Sequence, residues 1–264
     1  SQPWSCSRGS SVILGAKGRE TMRDERSLTL LEHLSELRRR LTISVAALAI
    51  TTAIAFLFRD WLLWLLLRPV PDLRPIYTEL TEMLGVYMKV SLLAGFILAF
   101  PVIVYQAAMF VVPALMPKER RALFIMLPAV IVLFVSGIAF GYFVMLPPSL
   151  RFLVAFGSNV AQPQIRISNY FTIVTTLLFW LGVVFEVPLV MYILARIRLL
   201  SPNVLTRNWR VAVVLAFVLG AIITPTFDPV NQTLVVVPLL VLYGLGTLLA
   251  KLAWREGKKT ATGA

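Results

Sequence analysis

The chain has 264 residues, of which 58% are hydrophobic and only 14% charged, with a mean hydropathy of +0.82. That much apolar surface cannot be hidden inside a water-soluble domain of this size, so a soluble globular protein is excluded. The formal net charge of +12 would suit nucleic acid, but the basic residues flank apolar stretches instead of forming one face, which argues against a nucleic-acid partner.

Residues 1–26 mix Ser, Gly and charge and are expected to form a disordered extension. Residues 1–21 contain no apolar core of a cleavable signal peptide, and Met22 is the expected native start. Cys6 is the single cysteine and His33 the single histidine, so neither an internal disulfide nor a multi-Cys or multi-His metal site is expected.

Segment 28–41, LTLLEHLSELRRRL, places Leu30, Leu34, Leu37 and Leu41 at helical spacing. Glu32 and Glu36 fall opposite this stripe. The pattern predicts a helix lying along the membrane surface and running into the first span. Glu36 has two readings. It pairs with Arg40 at i,i+4, or it is a carboxylate at the interface that waits for an external cation.

Six apolar stretches follow, read as Leu41–Phe58, Val90–Met116, Ala122–Leu146, Tyr170–Ala195, Val211–Ile223 and Thr233–Ala250. The first four suit a bilayer-crossing helix of about 17–25 residues. Segment 1–40 carries 8 Lys/Arg, 117–121 three, 196–210 four and the tail from 251 four, 19 in all; the loops 59–89, 147–169 and 224–232 carry 6. Positive charge stays inside during insertion, so both termini are expected to be cytoplasmic.

Between the first two stretches, Trp61, Trp64 and a Pro69/Pro71/Pro75 cluster suit the headgroup level. Leu62–Leu67 is too short to span and is expected to be an interfacial helix or an outer plug. In VVPALMPKERR (111–121), Pro113 and Pro117 predict a tight turn. Glu119 then either complements the dipole of the third span or adds a second carboxylate on the face of Glu36.

Glu186 lies inside the fourth stretch, where a carboxylate costs about 2.5–3.5 kcal/mol on insertion scales. It is either functional or held by a buried interhelical hydrogen bond, and Pro188 predicts a kink beside it. The fifth and sixth stretches are short, so the bilayer thins around them or they form a hairpin. Gln232 either caps the sixth span or bonds a partner helix. A proton-coupled transporter built on Glu186 would want an inverted repeat, and none is visible. An intramembrane hydrolase would want HExxH or GxSxG, which the sequence lacks. An insertase would want a basic residue within its groove, and none is clear inside these spans.

The segments HLSELRRR (33–40), FPVIVYQ (100–106), VVPALMPKERR (111–121), FEVPLV (185–190), LSPNVLTRNWR (200–210) and ITPTFDPVNQT (223–233) occur in this order on the six stretches. Over about Leu30 to Lys251 the chain resembles the TatC family, the polytopic receptor subunit of the twin-arginine protein translocase. The resemblance implies an all-α integral membrane protein of six transmembrane helices with a concave groove and short fifth and sixth spans. Residues 27–254 would form this domain, and 255–264 a flexible cytoplasmic tail. It implies a non-enzymatic receptor, without cofactor, that binds twin-arginine signal peptides at the cytoplasmic face of the bacterial inner membrane. It further implies assembly with single-span TatA/TatB-type subunits, with further copies of itself and with membrane lipids, to export folded proteins. Energy would come from the proton gradient.

By the same resemblance Glu36 and Glu119 match the signal-binding acids, and Arg38 and Phe110 match positions lining or supporting that patch. Glu186 and Gln232 match intramembrane polar positions facing the groove and the partner subunits. Glu82 matches an acid of the first outer loop. Met116 departs from a commonly aromatic position, Gly244 stands where an acid is often found, and Asp228 lies in a turn of variable length.

Overall fold

A computed structural model describes residues 11–69, 75–112, 117–155, 164–196, 199–224 and 229–262; side chains before Leu34, at 117–119 and 121–122, and after Trp254 lie outside the described set. Met116, Asp228 and the turn after Pro113 also fall outside it, as do residues 1–10 of the N-terminal extension and residues 263–264 of the tail.

The described chain is helical, joined by one isolated parallel bridge between Ile76 and Arg166. Its elements are α1 (Ser11–Leu57), α2 (Arg59–Leu67), α3 (Glu82–Val111), α4 (Pro117–Phe140), a π turn (Gly141–Met145), α5 (Leu146–Ala155), α6 (Ile167–Phe185), α7 (Val187–Arg196), α8 (Pro202–Arg207), α9 (Trp209–Ile223) and α10 (Pro229–Thr262). Five segments are long and apolar enough to cross a bilayer: Leu34–Leu57, Glu82–Val111, Leu123–Ala155, Ile167–Arg196 and Pro229–Trp254. The shorter α9 has 15 residues, about 22 Å against a hydrocarbon core of roughly 30 Å. This is the all-α membrane architecture that the hydropathy predicts.

Several boundaries differ from the sequence reading. The segment 28–41 runs into the first span without a break; α1 is one helix through Leu57, and Leu34, Leu37 and Leu41 remain exposed on it. The second span begins at Glu82 instead of Val90, because the polar Glu82 and Lys89 are satisfied by residues far along the chain. The third span runs on to Ala155. There the π turn precedes Pro147 and Pro148, and the Leu146 N–H bonds to the Gly141 carbonyl, so the register shifts where two N–H donors are missing. The sixth helix is longer than residues 233–250, because Asn231 and Gln232 sit in its first turn and Lys251 in its later part.

Helices approach closely where side chains are small, the mode available when lipid removes the hydrophobic drive between spans. Thr51 Oγ1 on α1 donates to the Gly95 carbonyl of α3 at 2.8 Å. A Cβ at Gly182 would stand 2.7 Å from the Phe134 ring, and one at Gly137 would stand 2.7 Å from the Leu181 carbonyl, so α4 and α6 leave no room for a side chain. Phe134 is fully buried and stacks on Phe100 with ring centroids 3.6 Å apart.

Besides a small cluster of Ala195, Ala250 and Ala253, two larger apolar cores result among the described residues. One joins α2, α3, α5 and α6 around Val86, Val90, Leu146, Tyr170 and Phe171; the other joins α6, α9 and α10 around Leu181, Ile223, Val235 and Val236. The segment expected as an interfacial helix or an outer plug forms the helix α2. Leu63 and Leu66 are buried, while Trp61 and Trp64 face outward. Two tyrosines donate to carbonyls at its C-terminal end: Tyr142 Oη to Leu65, which also accepts the Arg68 N–H at 3.3 Å, and Tyr170 Oη to Leu66, each tyrosine at 2.7 Å.

Candidate functional site

The polar residues of the sequence assemble at three levels along the bundle. At the first, α1 and α3 run antiparallel, for Arg40 meets Gln106 while Thr51 meets Gly95. Arg40 Nε donates to Glu36 Oε1 at 3.0 Å, and its terminal nitrogens reach Glu36 Oε1 and Gln106 Oε1, the latter at 3.4 Å. The i,i+4 pair expected from the sequence therefore forms. The two side chains keep 19% (Arg40) and 31% (Glu36) of their surface, so the carboxylate stays accessible. Both Arg40 bonds end on one oxygen, and Glu36 Oε2 accepts no hydrogen bond among the described residues. Arg38 and Arg39 are exposed beside it.

Phe110 follows Gln106 by one turn on α3 and is half-buried. Glu119 lies in the first turn of α4, and its side chain is outside the described residues. The backbone nevertheless sets its level: α3 ends at Val111 on the Arg40 side, and α4 begins at Pro117. Glu36, part-way along α1, and Glu119, in the first turn of α4, thus lie toward the same side of the bundle. The sequence could not supply Gln106's part in this cluster. That contact spans 66 residues, and Gln106 within an apolar helix reads only as an interhelical hydrogen-bonding group.

At the opposite end, Glu82 is nearly buried, at 8% exposure. Its carboxylate accepts the Thr78 N–H at 2.9 Å and the Ser168 N–H at 3.1 Å, and Arg166 Nε stands 3.8 Å away. Ser168 is in the first turn of α6, whose own N-cap residue, Arg166, makes no side-chain cap. Glu82 caps that helix from another part of the chain. Arg166 also bonds Glu79 at 2.8 Å, and the Glu79 hydrogen bond and the Glu82 charge push its guanidinium above its ordinary value. Glu82 is thus a cross-link between the segment before α3 and the start of α6, a part that its place in a loop does not reveal.

Between these ends, Glu186 occupies the break between α6 and α7, with Pro188 two residues on, as the kink requires. Glu186 Oε1 is buried without a hydrogen-bond partner among the described residues. Gln232 Nε2 donates to the Phe217 carbonyl of α9 at 3.1 Å, so it ties the last two helices together. Lys89, counted in the outer loop by the sequence reading, instead lies within α3. Its ammonium donates to Thr172 Oγ1 of α6 at 2.8 Å and lines a cleft between α1, α3 and α6. The basic residue that seemed missing from the spans is therefore present. A second cleft of about 280 Å³ opens between α7, α9 and α10 and is lined by Val187, Met191, Leu215 and Leu242.

A profile of the Sec-independent protein translocase protein (TatC) family matches residues 32–238. The chain belongs to the TatC family. It is 40% identical over 238 residues to a Sec-independent protein translocase protein TatC of Aquifex aeolicus, covering 88% of this chain and 98% of that one. It is 38% identical over 230 residues to the TatC of Carboxydothermus hydrogenoformans, with 86% and 95% covered. A chloroplastic TATC of Arabidopsis thaliana is 35% identical, with 90% and 70% covered. Among solved structures, a crystal structure titled as the twin arginine translocase receptor TatC matches with a TM-score of 0.74 and 40% identity, over 84% of this chain and 99% of that one. The chain is therefore a multi-pass membrane component of protein transport and not an enzyme.

Proposed function

We propose that this TatC-family chain is the receptor and core subunit of a twin-arginine translocase in a bacterial cytoplasmic membrane. It takes the Arg-Arg pair of a signal peptide on Glu36 and Glu119, with Arg38 and Phe110 shaping the patch. The observation that carries this reading is the Glu36 carboxylate: it sits among Arg38, Arg39 and Arg40, yet one of its oxygens accepts no hydrogen bond among the described residues. A planar guanidinium fits that oxygen, and a charge-assisted bond there is worth about 1.5–3 kcal/mol. The surrounding cations repel segments that are merely basic, which favours a ligand with two well-placed guanidiniums.

The charge bias of the sequence, 19 Lys/Arg against 6 with Lys89 counted among the 6, supports a cytoplasmic position for this end and both termini. Glu186 and Gln232 lie on the helices that would meet single-span TatA/TatB-type subunits, and the short α9 favours a locally thinned bilayer. The test is site-specific photocrosslinking from positions 36 and 119 to a twin-arginine signal peptide. Both positions should capture the peptide, and Glu119→Lys should abolish capture from position 36, as Glu36→Lys should from position 119. Undiminished capture by both Lys variants refutes the assignment.

A further inference from the structure

The cleft between α1, α3 and α6 is mostly apolar, with Thr175 and Thr176 in its wall and Lys89 its one charged lining residue. It has a volume of about 400 Å³, within the range of roughly 300–1,000 Å³ usual for ligand sites, and is lined by Leu48, Leu92, Leu93, Phe96 and Phe179 beside Lys89. Lys89 and Leu92 are exposed, so the cleft opens outward to where lipid lies. The Lys89 ammonium has three N–H donors, of which Thr172 takes one. No carboxylate pairs with it among the described residues. Glu82, two turns back on the same helix, has its oxygens engaged by Thr78 and Ser168.

Depth decides what can satisfy this cation. The 30-residue α3 is about 45 Å long, which leaves about 7 Å beyond each face of a 30 Å core. Lys89 is seven residues in, about 10 Å along the helix, so its Cα lies a few ångströms beneath the boundary and its flexible stem reaches headgroup level. We propose that this cleft binds one anionic phospholipid, with the phosphate on Lys89 and an acyl chain along Leu92, Leu93, Phe96 and Phe179. An apolar peptide segment would fill the same volume but leave the ammonium without a counter-charge at the edge of the hydrocarbon. A lipid supplies both halves, in the leaflet opposite the Glu36 cluster.

The test is native mass spectrometry of the full chain in detergent, titrated with dioleoylphosphatidylglycerol or with dioleoylglycerol, which has the chains but no phosphate. The phosphatidylglycerol should bind roughly fivefold more tightly, the effect of one Lys on an anionic lipid surface. Lys89→Ala should erase that preference, and Lys89→Arg should keep it. Equal binding of the two lipids, or a preference unchanged by Lys89→Ala, overturns the proposal. A photocrosslinker at position 92 in native membranes should capture lipid. Capture of polypeptide alone also overturns it.

Discussion

Replacing Glu36 by Gln separates the carboxylate's part in the fold from its part in recognition. In the fold, Glu36 makes a part-exposed i,i+4 pair with Arg40, whose side chain keeps 19% of its surface. Such pairs contribute about 0.3–0.5 kcal/mol, and solvent screening lowers that further. Gln keeps an acceptor for Arg40, which also retains Gln106. The loss of stability should therefore stay below about 0.5 kcal/mol, a shift in Tm of about 2 °C or less for a chain of this size. For binding, the variant loses the charge that an incoming guanidinium would meet at Oε2. A charge-assisted bond weakened by about 2 kcal/mol corresponds to roughly a 30-fold rise in Kd. Fluorescence anisotropy with a labelled twin-arginine signal peptide, alongside thermal unfolding of the same detergent-solubilised protein, reads both numbers. A Kd within about threefold of the parent would show that Glu36 only staples α1, and the recognition argument would fail.

Tyr170→Phe leaves the Leu66 carbonyl without its donor in a buried site, at a cost of about 1–2 kcal/mol in thermal unfolding. Tyr142→Phe should cost less because that site is only part-buried, and the double variant should be non-additive, since Leu65 and Leu66 share one helix turn. Additive losses would show that the two tyrosines act separately. Gly182→Val drives a side chain into Phe134, which cannot retreat because it is buried against Phe100. It should destabilise by about 1–3 kcal/mol, whereas the same change at Gly244, where a Cβ meets nothing within 4 Å, should be far milder. Equal melting points for the two variants would contradict the packing account. Glu82→Ala should expose the 75–81 and 164–168 segments to added protease while Glu82→Gln, which keeps acceptors, protects them better. Identical cleavage of both would rule out the cross-link. At Glu186, Gln should support transport better than Arg, because a neutral amide costs less in a buried break than an unpaired charge. Equal export by the two variants would count against this.

The amino-acid sequence alone determined the spans, the bias of charge across them, the α2 segment and the break at Pro188. Each follows from local quantities: transfer of consecutive apolar side chains into lipid, the cost of placing Lys and Arg near a membrane, and a missing proline N–H. Only the tertiary structure decided where the spans end and what their polar residues do. Glu82 and Lys89 read as loop residues because a hydropathy sum counts their cost and cannot see Ser168 or Thr172, which offset it from more than 80 positions away. The third span passed through Pro147 and Pro148 because a π turn packed by Gly141 against Leu178 and Leu181 absorbed the lost donors. Gln106 joined Glu36 and Arg40 because α1 and α3 lie antiparallel, a register set by the close fit of Thr51 and Gly95 and invisible in either helix by itself.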